Sequence, residues 1–435
     1  MARDDRDRRI VLWILLILLF RQTLAGPIRA YVPFLWYIPD FAMLVGFGVL
    51  IYQAARDKVV PLLVFCGLLS LVFIYSTMSN SLVAVSLQAR QAGYLILAAL
   101  AGIGIRRGNT TVTKAIAISG GIAILGVYYD YIFGVPWANA IFDGLLQTKE
   151  VAREWWGAAG MRRLSGFGLS STDTSVIIAV GALSFCALTR SQLRLTSAVY
   201  AAAAVHTLLL TTQKATAGWL VIVLVLAYAV PIAFPRRDGF SSAPLLRMLG
   251  LAGLAGCILI PAIFFGVRLG QDLDIHAPTL DQRMADVWPT VIPKLWAFPQ
   301  LIAGYGLGGV GHTATIPGLE TVDNMFLYTA LSVGMPLTLA IFGAFAYGLW
   351  KAPMRDAMDF AALAIASLVI LNGITANILA AGGVGSMYLG LAAGILLRPT
   401  RRSAPSGPTG EAPSSTPSGS GRRRRRRSSS SQSAG

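Results

Sequence analysis

Charge is scarce in this chain: Asp, Glu, Lys and Arg make up 13% of 435 residues, while 55% are hydrophobic and the mean hydropathy is +0.63. So little charge cannot cover a water-soluble surface, which excludes an ordinary soluble enzyme and points to a polytopic membrane protein. Cysteine is nearly missing. Cys66, Cys186 and Cys257 are odd in number, sit inside apolar runs and lack ligand-like spacing, so neither a disulfide framework nor a zinc site is indicated. The apolar segments have no period-two alternation, which excludes a membrane β-barrel and leaves helices, whose backbone groups are satisfied within the segment. A small-residue cleavage pattern is missing after the first apolar segment, and more such segments follow, so no cleavable leader is expected.

What is there reads as an all-α polytopic protein with about twelve transmembrane helices, roughly 10–25, 39–55, 59–77, 90–105, 115–133, 174–189, 195–212, 215–234, 248–267, 323–350, 358–374 and 384–397. The segment 323–350 is long for one span, and tilt, a kink near Pro336 or partial exposure to water are the open explanations. Residues 1–397 form the membrane domain, and 398–435 form a disordered Arg/Ser/Pro-rich tail.

The net charge of +16 resembles a nucleic-acid signal, but the segment after Leu397 supplies +8 of it, with nine arginines and one glutamate, so no nucleic-acid partner is expected. Lys and Arg orient the bundle instead. Five short loops hold twelve cations: Arg56 and Lys58; Arg106, Arg107 and Lys114; Arg190 and Arg194; Arg236, Arg237 and Arg247; Lys351 and Arg355. The short loops on the other side hold only Arg29 and Lys214. Both termini therefore fall on the cytoplasmic side, in agreement with Arg3, Arg6, Arg8 and Arg9 and with the run Arg422–Arg427, whose arginines are solvated or touch anionic lipid. Two long loops, about 134–173 and 268–322, face outward.

The outer loops carry the chemistry. In WANAIFDGLLQTKEVAREWW, a helical reading places Ile141, Phe142, Leu145, Leu146, Ala152, Trp155 and Trp156 on one face, as in a helix lying in the membrane interface. MRRLSGFGLSSTDTS follows, and its Arg162 and Arg163 depart from the positive-inside rule: they either anchor in lipid head groups or hold an anionic ligand. Lys214 falls in a very short outer turn, over the bundle mouth, and Arg90 and Arg21 lie near span ends. The second outer loop contains Gly306, Gly308 and Gly311, a formal G-x-G-x-x-G. No strand or βαβ unit surrounds it, so the glycines read as a tight irregular backbone beside the bundle rather than a dinucleotide site. His312 follows them directly, and Asp323 stands where the loop re-enters the apolar sequence.

Four fragments in this order resemble the O-antigen ligase and O-antigen polymerase superfamily of bacterial membrane glycosyltransferases. RRLSGFGLSSTDTS is similar to that family's Arg–x–Ser–Gly stretch, and TTQKATAGWL stands where it often shows a Ser/Thr–Arg–Gly turn. DQRMADVW followed by LIAGYGLGGVG is similar to its Arg…Trp…Gly-rich loop, and DNMFLYTALSVG to its His–Asn–x9–Gly motif. Lys214 replaces the usual arginine, keeping charge but losing the bidentate fork, and Asp323 replaces the usual histidine, which leaves the identity of the base open.

The resemblance implies a metal-independent, cofactor-free enzyme of the bacterial inner membrane with its site on the periplasmic face. It would transfer or polymerise glycan from an undecaprenyl-diphosphate-linked donor onto a sugar hydroxyl. The donor, a glycan acceptor and the lipid bilayer are then partners, with a chain-length regulator as a candidate. Fixed cations suit the departing diphosphate. On this reading Asp323, His312 and Arg283 are catalytic candidates, with Asp323 or His312 as the base; Arg162, Arg163, Lys214, Arg90, Asn324 and Trp288 are substrate-binding candidates. Asp323 as base requires a pKa raised by partial burial, and its plain structural role would be to N-cap the next helix. A lipid-linked oligosaccharide flippase is the alternative from another class, disfavoured by the lack of an internal repeat and by ionisable residues gathered at one face. A related polymeriser of peptidoglycan strands shares the architecture.

Overall fold

A computed structural model describes residues 2–398 apart from 57–59, 106–107, 144–147, 153–154, 157–161, 190–194, 230–241, 269–277, 312–313, 315, 353 and 380–382. The side chains of 2–8, 50, 53–56, 60–66, 69, 143, 148–149, 155–156 and 229 are likewise outside the description. His312, the loop cations Lys58, Arg106, Arg107, Arg190, Arg194, Arg236 and Arg237, and the tail with Arg422–Arg427 therefore lie outside the described residues.

The described residues are mostly helical. In the first part run α1 (Ala2–Thr23), α2 (Ala25–Tyr31), α3 (Ile38–Arg56), α4 (Val60–Ser79), α5 (Leu82–Gly104) and α6 (Thr111–Phe133). Short strands β1 (Ala140–Asp143), β2 (Thr148–Val151), β3 (Trp155–Trp156) and β4 (Arg162–Arg163) follow. After them come α7 (Ser171–Leu188), α8 (Leu195–Leu210), α9 (Lys214–Leu224) and α10 (Ala243–Ile263). Three short helices, α11 (Pro278–Gln282), α12 (Trp288–Trp296) and α13 (Gln300–Ala303), lead to α14 (Met325–Val333), α15 (Met335–Lys351), α16 (Ala357–Asn372) and α17 (Val384–Leu396).

Helices α5, α6, α7 and α10 are long and apolar enough to cross a membrane; α1 with α2, bent by 82°, makes a fifth if counted as one broken span. Large apolar side chains such as Leu82, Leu125, Phe133 and Ile263 are exposed on these helices. In water such a belt would be costly; against lipid it is not, so the bundle fits a membrane protein.

Without a hydrophobic force between helices in lipid, close backbone approach holds such a bundle together. Helices α5 and α17 meet in this way. A Cβ on Gly102 would lie 2.6 Å from the Leu391 carbonyl oxygen, and one on Gly394 would lie 2.7 Å from the Ala99 carbonyl carbon. Gly390 and Gly394, four apart, share one helix face. Helices α6 and α7 cross at Gly120 and Gly181, where an added Cβ on either would come within 2.7 Å of the other's Cα.

Three expectations need correction, and in 323–350 the kink near Pro336 is present. Within 137–156 the expected interfacial helix is replaced at 140–143 and 148–151 by antiparallel strands, with Ala140 opposite Val151 and Asp143 opposite Thr148. Its exposure alternates, Ile141 outward and Phe142 inward, so the period is two, and Phe142 and Val151 bury against Trp36 and Trp137. The segment 323–350 is two helices, broken at Gly334 (φ +82°) with Pro336 in the first turn of the second. The stretch 268–322, expected as a long loop, holds the short helices α11, α12 and α13. Arg398, the first residue of the expected tail, is buried in an ion pair with Asp359 and lies 3.7 Å from Asp356.

Candidate functional site

The glycine-rich segment enters the bundle. Gly304, Gly306, Gly308 and Gly311 all have positive φ, between +71° and +92°. At Gly308 a side chain would also strike α5, since a Cβ there would lie 2.7 Å from the backbone of Ala84 and Val85. Polar side chains of α4 and α5 satisfy the loop backbone that this insertion removes from water. Ser76 Oγ accepts from Leu307 N (2.7 Å), and Asn80 Nδ2 donates to the carbonyls of Tyr305 (2.8 Å) and Leu307 (3.2 Å). Gln88 accepts from Gly308 N and donates to the Tyr328 hydroxyl and to Ser332 Oγ (3.1 Å). The loop is thereby tied to α14. Tyr305 donates to the Lys294 carbonyl (3.3 Å), and desolvation raises its phenol pKa above the ordinary value, keeping that donor protonated.

Asp323 lies at the start of α14 and pairs with Arg283, Nε to Oδ2 3.1 Å, with side-chain exposures of 40% and 20%. The expected helix cap is one residue off. Asn324, not Asp323, caps α14: its Oδ1 accepts from Leu327 N (2.9 Å), while Nδ2 donates to the Ile374 carbonyl (2.9 Å). Capping is thus assigned to a fully buried amide, and the carboxylate of Asp323 stays at the surface beside a guanidinium. Asn324 has both amide atoms engaged by backbone and acts as a positioning residue. Trp288 is fully buried where α12 packs against α14, and its indole N–H has no hydrogen-bond partner among the described residues.

Hydrogen bonds connect this place to the Lys214 turn. Thr212 (φ +59°) makes the turn tight, and Lys214 is exposed at the first position of α9. Gln213 Nε2 lies 3.4 Å from the hydroxyls of Ser171 and Thr172 at the start of α7. Thr216 Oγ1 donates to Asn372 Oδ1 (3.0 Å), and the next residue, Gly373, accepts from Met325 N (2.8 Å). The N-termini of α7, α9 and α14 are therefore gathered at one end of the bundle, where their dipoles favour negative charge.

Arg162, Arg90 and Arg21 each have a carboxylate partner. Arg162 donates to Asp130, to its carboxylate and to its carbonyl (2.9 Å), and Asp130 Oδ2 also accepts from Gly166 N (3.0 Å). Arg90 Nη1 lies 3.4 Å from Asp40 Oδ2, and Arg21 Nη1 lies 2.8 Å from Asp40 Oδ1. Arg163 is half-buried, and its Nε has no hydrogen-bond partner among the described residues. The structure thus joins Asp323, Arg283 and Asn324 directly and links them through helix ends to Lys214. His312 lies outside the described residues.

Sequence reasoning missed Asp40, Asp130 and Gln88. A signal existed for the first two: a carboxylate in an apolar segment demands a partner. No family model matches the chain, and no curated protein matches it.

Proposed function

We propose that the chain is a twelve-span glycosyltransferase of the bacterial inner membrane, similar to O-antigen ligases and polymerases, with both termini in the cytoplasm. It takes glycan from an undecaprenyl-diphosphate carrier and joins it to a sugar hydroxyl of a surface polysaccharide on the periplasmic side. The observation that carries this reading is the solvent-accessible Asp323 carboxylate, 3.1 Å from Arg283, at the bundle end where α7, α9 and α14 begin.

In the proposed step Asp323 takes the proton of the acceptor hydroxyl as its oxygen attacks the anomeric carbon. The bond from that carbon to the diphosphate oxygen breaks, and the leaving diphosphate keeps the electron pair. Lys214, Arg163 and Arg283 face the growing negative charge, with the helix N-termini adding to the field. Arg283 has two tasks: its Nε orients the base, and its remaining N–H groups reach for phosphate.

Full-length protein reconstituted with a polyprenyl-diphosphate-linked oligosaccharide tests the proposal, read by product size on a gel, with and without chelator. Glycan transfer that survives chelation and is lost in Asp323→Asn supports it. The helix break at Gly334 favours a second reading, a carrier, since discontinuous helices recur in transporters. Movement of the oligosaccharide across the bilayer without any new glycosidic bond would establish that reading instead.

A further inference from the structure

A second cation cluster lies at the start of the chain, on the other side of α5 from the glycine loop. Gln88, which holds that loop, and Arg90 are two residues apart, about 200° around the helix. Arg90 faces Asp40, and Asp40 also binds Arg21. Arg21 in turn donates to Tyr94 and to the Trp36 carbonyl (3.2 Å). Both Arg21 and Arg29 lie against the Trp36 ring, their guanidinium carbons 4.6 and 3.9 Å from its centre, and Arg29 is 4.9 Å from the Phe142 ring.

Arg29 is the anomaly. It is only 6% exposed, yet its Nε and Nη1 are buried without a hydrogen-bond partner among the described residues. The Nε atoms of Arg21 and Arg90 are in the same condition. Arg29 feels the like charges of Arg90 and Arg21, and the carboxylate that reaches it is Asp173. Asp173 is itself held at the start of α7, accepting from the Ser170 hydroxyl (2.8 Å). Arg21 and Arg90 thus share Asp40 while Arg29 feels Asp173, so three cations stand against two carboxylates. A buried, stacked guanidinium with unmet donors is expensive unless an anion completes it.

We propose that Arg29, Arg90 and Arg21 bind a phosphate group, with Trp36 and Phe142 holding the Arg29 fork in place. Phosphate fits because its several oxygens match the fork, and its charge balances the cationic surplus. The same phosphate chemistry is offered by a lipid head group or by a soluble phosphate. The proposal does not depend on the transfer chemistry above, because Arg283 and Asp323 take no part in it.

Delipidated full-length protein in detergent tests this by thermal unfolding against three probes: inorganic pyrophosphate, dioctanoyl phosphatidylglycerol and the phosphate-free dioctanoylglycerol. A rise in Tm with phosphatidylglycerol alone identifies a lipid head group, and a rise with pyrophosphate identifies a site open to soluble phosphate. Arg29→Gln, and the partly exposed Arg90→Gln if the first does not fold, should weaken the response by about tenfold or more, while Lys351→Gln, an exposed cation outside both sites, leaves it as in the wild type. The proposal is overturned if neither phosphate probe raises Tm, if dioctanoylglycerol does so equally, or if the response is lost in Lys351→Gln and kept in the Arg29 and Arg90 variants.

Discussion

Asp130 holds the segment that carries Arg162 and Arg163, and its removal should loosen that segment measurably. Its side chain is 4% exposed and serves two donors, Arg162 Nη2 and Gly166 N, the latter at 3.0 Å. Asp130→Ala strands the Gly166 N–H and takes the carboxylate from Arg162, which keeps its bond to the residue 130 carbonyl. Removing one partner of a fully buried pair costs about 3–5 kcal/mol, and an unmet backbone N–H about 1–3 kcal/mol. Arg162 is 27% exposed, so water recovers part of the first cost, and the expected loss is about 2–4 kcal/mol in all. Arg162→Ala leaves the Gly166 bond intact and should cost less. The assay is a double-mutant cycle on thermal unfolding in detergent. Because the pair is in contact, the coupling should be about 1–2 kcal/mol. If Arg162→Ala costs the same with and without Asp130, the pair does not organise this segment. In a transfer assay the cycle has a second use: loss of donor affinity in Arg162→Ala made on the Asp130→Ala background assigns Arg162 a direct contact with donor.

Three other outcomes are expected. Gly394→Leu forces a side chain into the Ala99 backbone, where a Cβ already comes within 2.7 Å of a carbonyl carbon, and should cost about 3 kcal/mol or prevent folding, seen as lost monodisperse protein on size exclusion. Asn324→Ala removes the α14 cap and the bond to Ile374, and a loss of about 1–2 kcal/mol is expected from thermal unfolding, with activity falling because Asp323 is displaced. Gln88→Ala frees the glycine loop at Gly308, and hydrogen exchange of the segment 304–311 should quicken while the exchange of α6 and α7 stays unchanged.

The helical class and the apolar character were legible because both follow from long apolar runs with few charges. The irregular, glycine-driven backbone at 304–311 was legible as well, since closely spaced glycines outside any βαβ context have one plain use. The ribbon at 140–151 was not. Its composition satisfies a helical wheel, and only the tertiary partners Trp36 and Trp137 decide that Phe142 points inward while Ile141 does not. The cap at α14 was misread by one residue because Asp and Asn are both good caps, and the choice was settled by Ile374, fifty residues away. Cations were read singly from sequence. Their carboxylate partners come from distant helices, Asp40 from α3 and Asp130 from α6, so no local pattern could reveal which arginines are already neutralised.

In the proposed reaction Asp323 takes a proton from a sugar hydroxyl while its neighbours hold a departing diphosphate. Single-turnover glycan transfer by Asp323→Asn, with donor binding measured on the same reconstituted sample, addresses it most directly. Donor affinity should stay within a few-fold of wild type while the transfer rate falls by about two orders of magnitude or more. Transfer at close to the wild-type rate would contradict it.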